Sequence, residues 1–159
     1  MIGIGMGISL GASSGGYVRR NLLTASGDLG NAAWQKIGTA TATGTSLELP
    51  GANDAVAQSI TVPAGIGVSA TFGAILSGAG TIFIRVNRLV GGGSFEATTE
   101  SVTLSGTPTF HSVTHTMTNS GQIGFTAQIL TTVANASTIT VSNAQLELGT
   151  TATPYQPQP

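Results

Sequence analysis

The stretch Thr81-Ile-Phe-Ile-Arg-Val-Asn-Arg-Leu-Val90 decides the fold class. Ile82, Ile84 and Val86 fall on one face of an extended chain, and Phe83, Arg85 and Asn87 on the other. Successive side chains of a strand point to opposite faces, so this alternation marks a half-buried strand. Gly91-Gly92-Gly93 then turns the chain.

The same grammar extends outward in both directions. Thr45–Leu49 ends at Pro50-Gly51, and Ala55–Val62 places Val56, Ile60 and Val62 on one face before Pro63-Ala64-Gly65. Ile66–Leu76 runs to Ser77-Gly78-Ala79-Gly80. After the glycine turn come Ser94–Leu104, Thr109–Met117, Gln122–Leu130, with Ile123, Phe125, Ala127 and Ile129 in phase, and Thr138–Leu148. In the last segment Ile139 and Val141 are out of phase with Leu146 and Leu148, which predicts a one-residue bulge near Asn143. About eight strands with turn residues every 8–14 positions, and no helical period longer than one turn, predict an all-β antiparallel sandwich or barrel.

The flanks differ from this core. In residues 1–16, Ile2, Ile4, Met6, Ile8 and Leu10 alternate with Gly3, Gly5, Gly7 and Ser9. Such a strand has one apolar edge and one edge without side chains, and little to hold it alone. It is expected to be an extended N-terminal arm that docks on a sheet edge of another subunit; the alternative is a loose arm. Residues 17–159 make up the sandwich, closed by a Pro-rich tail with Pro154, Pro157 and Pro159. Early in the sandwich, Asn31 is placed to cap a short turn before Trp34. Trp34 is the only tryptophan. It and Tyr155 are the candidates for a core anchor or for a ring that stacks on a sugar.

Composition narrows the function. Of 159 residues 7% are charged, against roughly 25% in an ordinary soluble domain. A neutral Thr/Ser/Asn/Gln surface packs against other subunits without the cost of burying charge, which points to an assembly component. The net charge of −1 with five Lys+Arg gives no basic face for nucleic acid or for an anionic membrane. There is no cysteine and hence no disulfide framework. Residues 1–16 lack the cationic start of a signal peptide, and no window approaches the ~18 apolar residues that span a bilayer.

Catalytic and metal chemistry find little support. His111 and His115 on one strand would stand ~13 Å apart, too far to share a zinc ion. Glu96 and Glu100 would be separated by the same ~13 Å, beyond the reach of a glycosidase pair. Asp28, Glu48, Asp54 and Glu147 would have to converge to bind calcium, and nothing in their spacing demands it. Gly3, Gly5 and Gly7 do not form a phosphate loop, since no strand precedes them and no helix follows. Asn135-Ala136-Ser137 matches the N-glycosylation triplet. Arg85 and Arg88 are expected to face Glu96 or Glu100 across neighbouring strands. The chain reads as non-enzymatic and free of cofactors.

Two segments carry a resemblance. Arg20-Asn-Leu-Leu-Thr24 with Asn31-Ala-Ala-Trp-Gln-Lys36, and Ala144-Gln-Leu-Glu-Leu-Gly149 with Thr151-Ala-Thr-Pro-Tyr155, resemble the opening and close of a jelly-roll module in bacteriophage head-spike and tail-fibre proteins. Val56–Val62 is similar to that family's first well-formed strand. The resemblance spans residues 19–157 and implies a jelly-roll sandwich, similar in fold to carbohydrate-binding modules. It also implies a virion structural role as a fibre or spike appendage, made in the host cytoplasm. Its partners would be tail or capsid proteins, further copies of the chain (often a trimer) and a host glycan. A capsid decoration protein and a stand-alone carbohydrate-binding module are the alternatives.

Overall fold

A computed structural model describes residues 20–62, 65–90 and 95–158. Ten strands run in the order β1 (Gln35–Ile37), β2 (Thr41–Thr43), β3 (Ser46–Leu49), β4 (Ala55–Thr61), β5 (Ser69–Ser77), β6 (Ala79–Val90), β7 (Ala97–Ser105), β8 (Thr109–Thr116), β9 (Gln122–Leu130) and β10 (Asn135–Leu148). They form two antiparallel five-stranded sheets, β1-β4-β9-β6-β7 and β2-β3-β10-β5-β8. The expectation of an all-β sandwich holds, with β1 and β2 added to the eight strands read from the sequence. No helix among the described residues is long and apolar enough to cross a membrane.

The two inner faces make one core. Sheet one contributes Val56, Ile82, Ile84, Val86, Val102, Phe125 and Ile129; sheet two contributes Leu47, Leu49, Phe72, Leu76, Ile139, Val141 and Leu146. β6 alternates as its sequence requires: Ile82, Ile84 and Val86 are fully buried, while Phe83, Arg85 and Asn87 are half-buried on the outer face. β10 carries the expected bulge. Its register against β5 shifts between Ser142 and Gln145, and Asn143 takes a left-handed φ of 53°. Asparagine tolerates that conformation better than most side chains. The shift lets Ile139 and Leu146 both face the core.

Three sequence expectations need correction. Ile66 is not in a strand: it sits in the turn before β5 and is exposed. Ile123 does not share the buried face of Phe125, because an irregularity between Leu89 and Val90 disturbs the β6–β9 ladder beside it, and Ile123 is exposed. Arg85 meets a hydroxyl rather than a glutamate: its Nε donates to Thr99 Oγ1 at 2.9 Å, and Thr99 is its register partner on β7.

The ends of the chain are tied to each other. Asn21 is buried; its Nδ2 donates to the carbonyls of Ala144 (2.9 Å) and Gln156 (3.2 Å), and its Oδ1 accepts from the amides of Leu23 and Leu146. Leu22 N donates to Leu146 O at 2.7 Å. The tail is held from below by β10. Glu147 accepts from Thr153 N (2.6 Å), Thr153 Oγ1 (2.7 Å) and Gln145 Nε2 (3.0 Å), and Gln145 Oε1 accepts from Gln156 N (2.7 Å). The two segments that carry the phage-module resemblance are therefore one clasp in space.

Candidate functional site: a groove beneath the C-terminal tail

The back-folded tail turns the outer face of sheet two into a groove of about 360 Å³. Its floor is Gly73 and Ile75 of β5, its far side Phe110 of β8, and its near side Asn143, Gln145 and Glu147 of β10. Ala152, Thr153, Pro154 and Tyr155 form the wall.

Phe110 is the distinctive member. Ile75 is its register partner, and both point away from the core, since Val113 and His115 occupy the inner positions of β8. The ring leans over Gly73, where an added Cβ would stand 2.7 Å from Phe110 Cζ. Only a residue without a side chain leaves that space. The ring is 51% exposed, so one side of it is open to a ligand.

The polar groups of the groove divide in two. Gln145 and Glu147 spend their polar atoms on the tail and on each other. Tyr155 pairs its hydroxyl with Ser26 Oγ at 3.0 Å, which fixes the ring as a wall. Asn143 is half-buried on the bulge and lines the groove beside Ile75. The arrangement is an aromatic platform with an amide beside it and no free acid or base. It is suited to holding an uncharged ligand with one apolar face and hydroxyls at its edge.

The other residues singled out by sequence fall elsewhere. Trp34 is 1% exposed in the core, with Nε1 donating to Ala25 O at 3.3 Å, so its ring presents no face to a sugar. Ile2, Ile4, Met6, Ile8 and Leu10 lie outside the described residues. His111 and His115 both sit on the inner face of β8. His115 is buried with Nδ1 3.1 Å from Thr98 Oγ1, and burial holds its pKa below the ordinary histidine value despite the opposing pull of Glu96. Glu96 lies just before β7 and accepts from Thr118 N and Oγ1 and from Asn119 N and Nδ2. Burial raises its pKa, but these donors outweigh it and leave the carboxyl below its usual range.

The proposed calcium ligands do not converge. Asp28 accepts from Gly30 N, Glu48 from Thr41 Oγ1, and Asp54 from the amides of Thr39 and Gly51 and from Thr39 Oγ1. Among the described residues no three His, Cys, Asp or Glu stand together. Asn135 is buried and donates Nδ2 to Ala79 O at 3.1 Å, so its amide nitrogen is not presented for glycosylation.

Sequence reasoning missed Phe110. The signal was there: in Thr109–Met117 an inward Val113 forces Phe110, three residues earlier, onto the opposite face. What the sequence withheld was the diagonal neighbour on the adjacent strand, Gly73.

No protein-family model matches the sequence, and no curated protein matches it. Solved structures do resemble it. The fold is a jelly roll of the carbohydrate-binding-module type. The enzymatically active domain of tailspike protein 4 from bacteriophage CBA120 superposes with a TM-score of 0.62 at 16% identity, covering 80% of this chain and 21% of that one. The CBM22-1–GH10 modules of Clostridium thermocellum xylanase 10B, complexed with xylohexaose, give 0.60 at 13% identity, covering 87% of this chain and 30% of theirs. A family 16 carbohydrate-binding module gives 0.51 at 15% identity, covering 79% and 99%. The chain thus spans about a fifth of the tailspike domain and under a third of the xylanase modules, but nearly all of the isolated binding module.

Proposed function

We propose that the chain is a non-catalytic appendage module of a bacteriophage virion that contacts host-surface carbohydrate through the Phe110 groove. The observation that carries this reading is the half-exposed Phe110 ring seated on Gly73 beside Asn143. An aromatic ring offers an apolar face to the C–H face of a sugar, and a neighbouring amide can both donate to and accept from its hydroxyls. The likeness in fold to a phage tailspike domain and to carbohydrate-binding modules supports the setting. An open groove is of use to a module that faces outward, and of little use to a cement protein buried between capsid subunits.

Residues 1–16 are the anchor in this reading, with Ile2, Ile4, Met6, Ile8 and Leu10 docking on another virion protein or on a second copy of the chain, a trimer being the assembly that the phage-module resemblance implies. The low charge suits such an assembly. Deleting residues 1–12 is expected to leave a folded protein that no longer loads onto particles; a truncated protein that still loads would overturn the anchoring.

The groove is tested with a glycan array that displays bacterial surface oligosaccharides, probed with the intact chain and with Phe110→Ala. Selective binding that Phe110→Ala abolishes is expected. An empty array, or binding that survives the substitution, would overturn the groove's role.

A further inference from the structure

A second concavity, of about 740 Å³, lies where the edge strands of the two sheets meet, β7 of sheet one beside β8 of sheet two. Its chemistry differs from that of the groove. Arg85 and Phe95 line it together with the hydroxyls of Thr98, Thr99, Thr114 and Thr116. We propose that this seam is a separate carbohydrate site, one that takes a sugar bearing a carboxylate, such as a uronic or sialic acid. The proposal rests on the same carbohydrate-contacting reading of the module but on different residues.

Arg85 carries the argument. The described residues hold four cationic side chains, Arg20, Lys36, Arg85 and Arg88. Arg88 is buried beside Gln122, and Lys36 donates its Nζ to the carbonyls of Gly30 and Asn31. Arg20 stands at the start of the described chain, away from both concavities. Of the four, Arg85 alone lines either of the two concavities. Its Nε is fixed on Thr99 Oγ1, which sets the plane of the guanidinium, and its two terminal nitrogens make no hydrogen bond to a described residue. A planar pair of N–H donors held in place matches the two oxygens of a carboxylate.

The surroundings complete the site. Phe95 is 64% exposed at the rim, an aromatic surface for the apolar face of a sugar ring. Threonines on both strands place hydroxyls on either side, each already held by a partner: Thr98 by His115, Thr99 by Arg85, Thr114 by Thr71 and Thr116 by Ser69. Glu96 also lines the concavity, but its oxygens are occupied by four donors from Thr118 and Asn119 and it makes no ion pair with Arg85. Under the wall of the seam, His115 is 5% exposed and its Nε2 has no hydrogen-bond partner. A buried polar atom left unpaired is costly.

The test is isothermal titration of the intact protein with three carboxylated oligosaccharides: trigalacturonic acid, an α2,8-linked sialic acid trimer and a hyaluronan tetrasaccharide. Each is paired with its methyl ester, and sodium acetate serves as the bare-carboxylate control. At least one acid is expected to bind, with its ester at least about tenfold weaker, and to weaken as salt is raised. Arg85→Gln is expected to lose about tenfold in affinity for the acid, while Phe110→Ala leaves it unchanged. The proposal is overturned if none of the three binds, if acid and ester bind alike, if acetate binds as well as the sugars, or if Arg85→Gln has no effect. Loss of acid binding in Phe110→Ala would return the ligand to the groove and also overturn a separate site. The groove stands or falls by its own substitution.

Discussion

Phe110 and Gly73 lie diagonally on adjacent strands of sheet two, Phe110 paired with Ile75 and Gly73 with Ser112, and the ring of one occupies the space where a side chain of the other would stand. The pair lays an aromatic ring over the flat exterior of the sheet. Gly73→Ala is therefore expected to dislodge the ring without unfolding the protein. Alanine suits a strand at least as well as glycine, so stability should change by no more than about 1 kcal/mol. Thermal unfolding should be near that of the unaltered protein while glycan-array binding is lost.

The clasp built on Asn21 gives a second expectation. Asn21→Ala removes two donated and two accepted hydrogen bonds and leaves buried backbone groups of Ala144 and Leu146 unpaired. A loss of about 2–4 kcal/mol in urea unfolding is expected, since each stranded buried group costs on the order of 1–3 kcal/mol. Groove binding should weaken too, because the tail that walls the groove is held partly through Gln156.

Trp34 separates core from ligand. Trp34→Ala is expected to cost about 3–5 kcal/mol, the usual penalty for emptying a large buried aromatic site. In the intact protein its fluorescence should be that of a buried indole and should not respond to a glycan that binds at Phe110. Quenching by such a ligand would show that the indole lies nearer the ligand than its burial allows.

The burial of His115 makes stability depend on pH. Burial holds its pKa in the folded chain below the ordinary value, with Glu96 pulling the other way. The unfolded chain thus takes up this proton at a higher pH than the folded one. The stabilising contribution is fully present above about pH 6.5 and declines as pH falls from there toward the lowered folded value. Asp54 and Glu96 are also depressed, but their contributions persist until the pH falls below the ordinary carboxylate range near 4. Urea unfolding should therefore weaken as the pH falls below about 6.5 in the unaltered protein and show less of that loss in His115→Gln.

Much of this fold was legible because its strands obey a period of two. Ile82, Ile84 and Val86 announce β6, and the phase change from Val141 to Leu146 announces the bulge at Asn143. Asn31 accepts from Ala33 N at 2.9 Å in the short turn that its position before Trp34 suggested. β1 and β2, at three residues each, are too short to show alternation and exist only through their pairing with β4 and β3. The site was less legible, for the same reason. Phe110 matters because of Gly73, 37 positions away, and because Glu147 folds Thr153 back beside both. Such relationships are set by the register of the ladders, which no local pattern states.

The most direct test of the groove is an amide NMR titration of the intact chain with the best-binding oligosaccharide from the array. The expected result is a set of shifts centred on Gly73, Ile75, Phe110, Asn143 and the tail from Ala152 to Tyr155, with the sugar recovered chemically unchanged. Shifts confined to other faces of the sandwich, or cleavage of the sugar during the titration, would contradict a non-catalytic module that reads carbohydrate through Phe110.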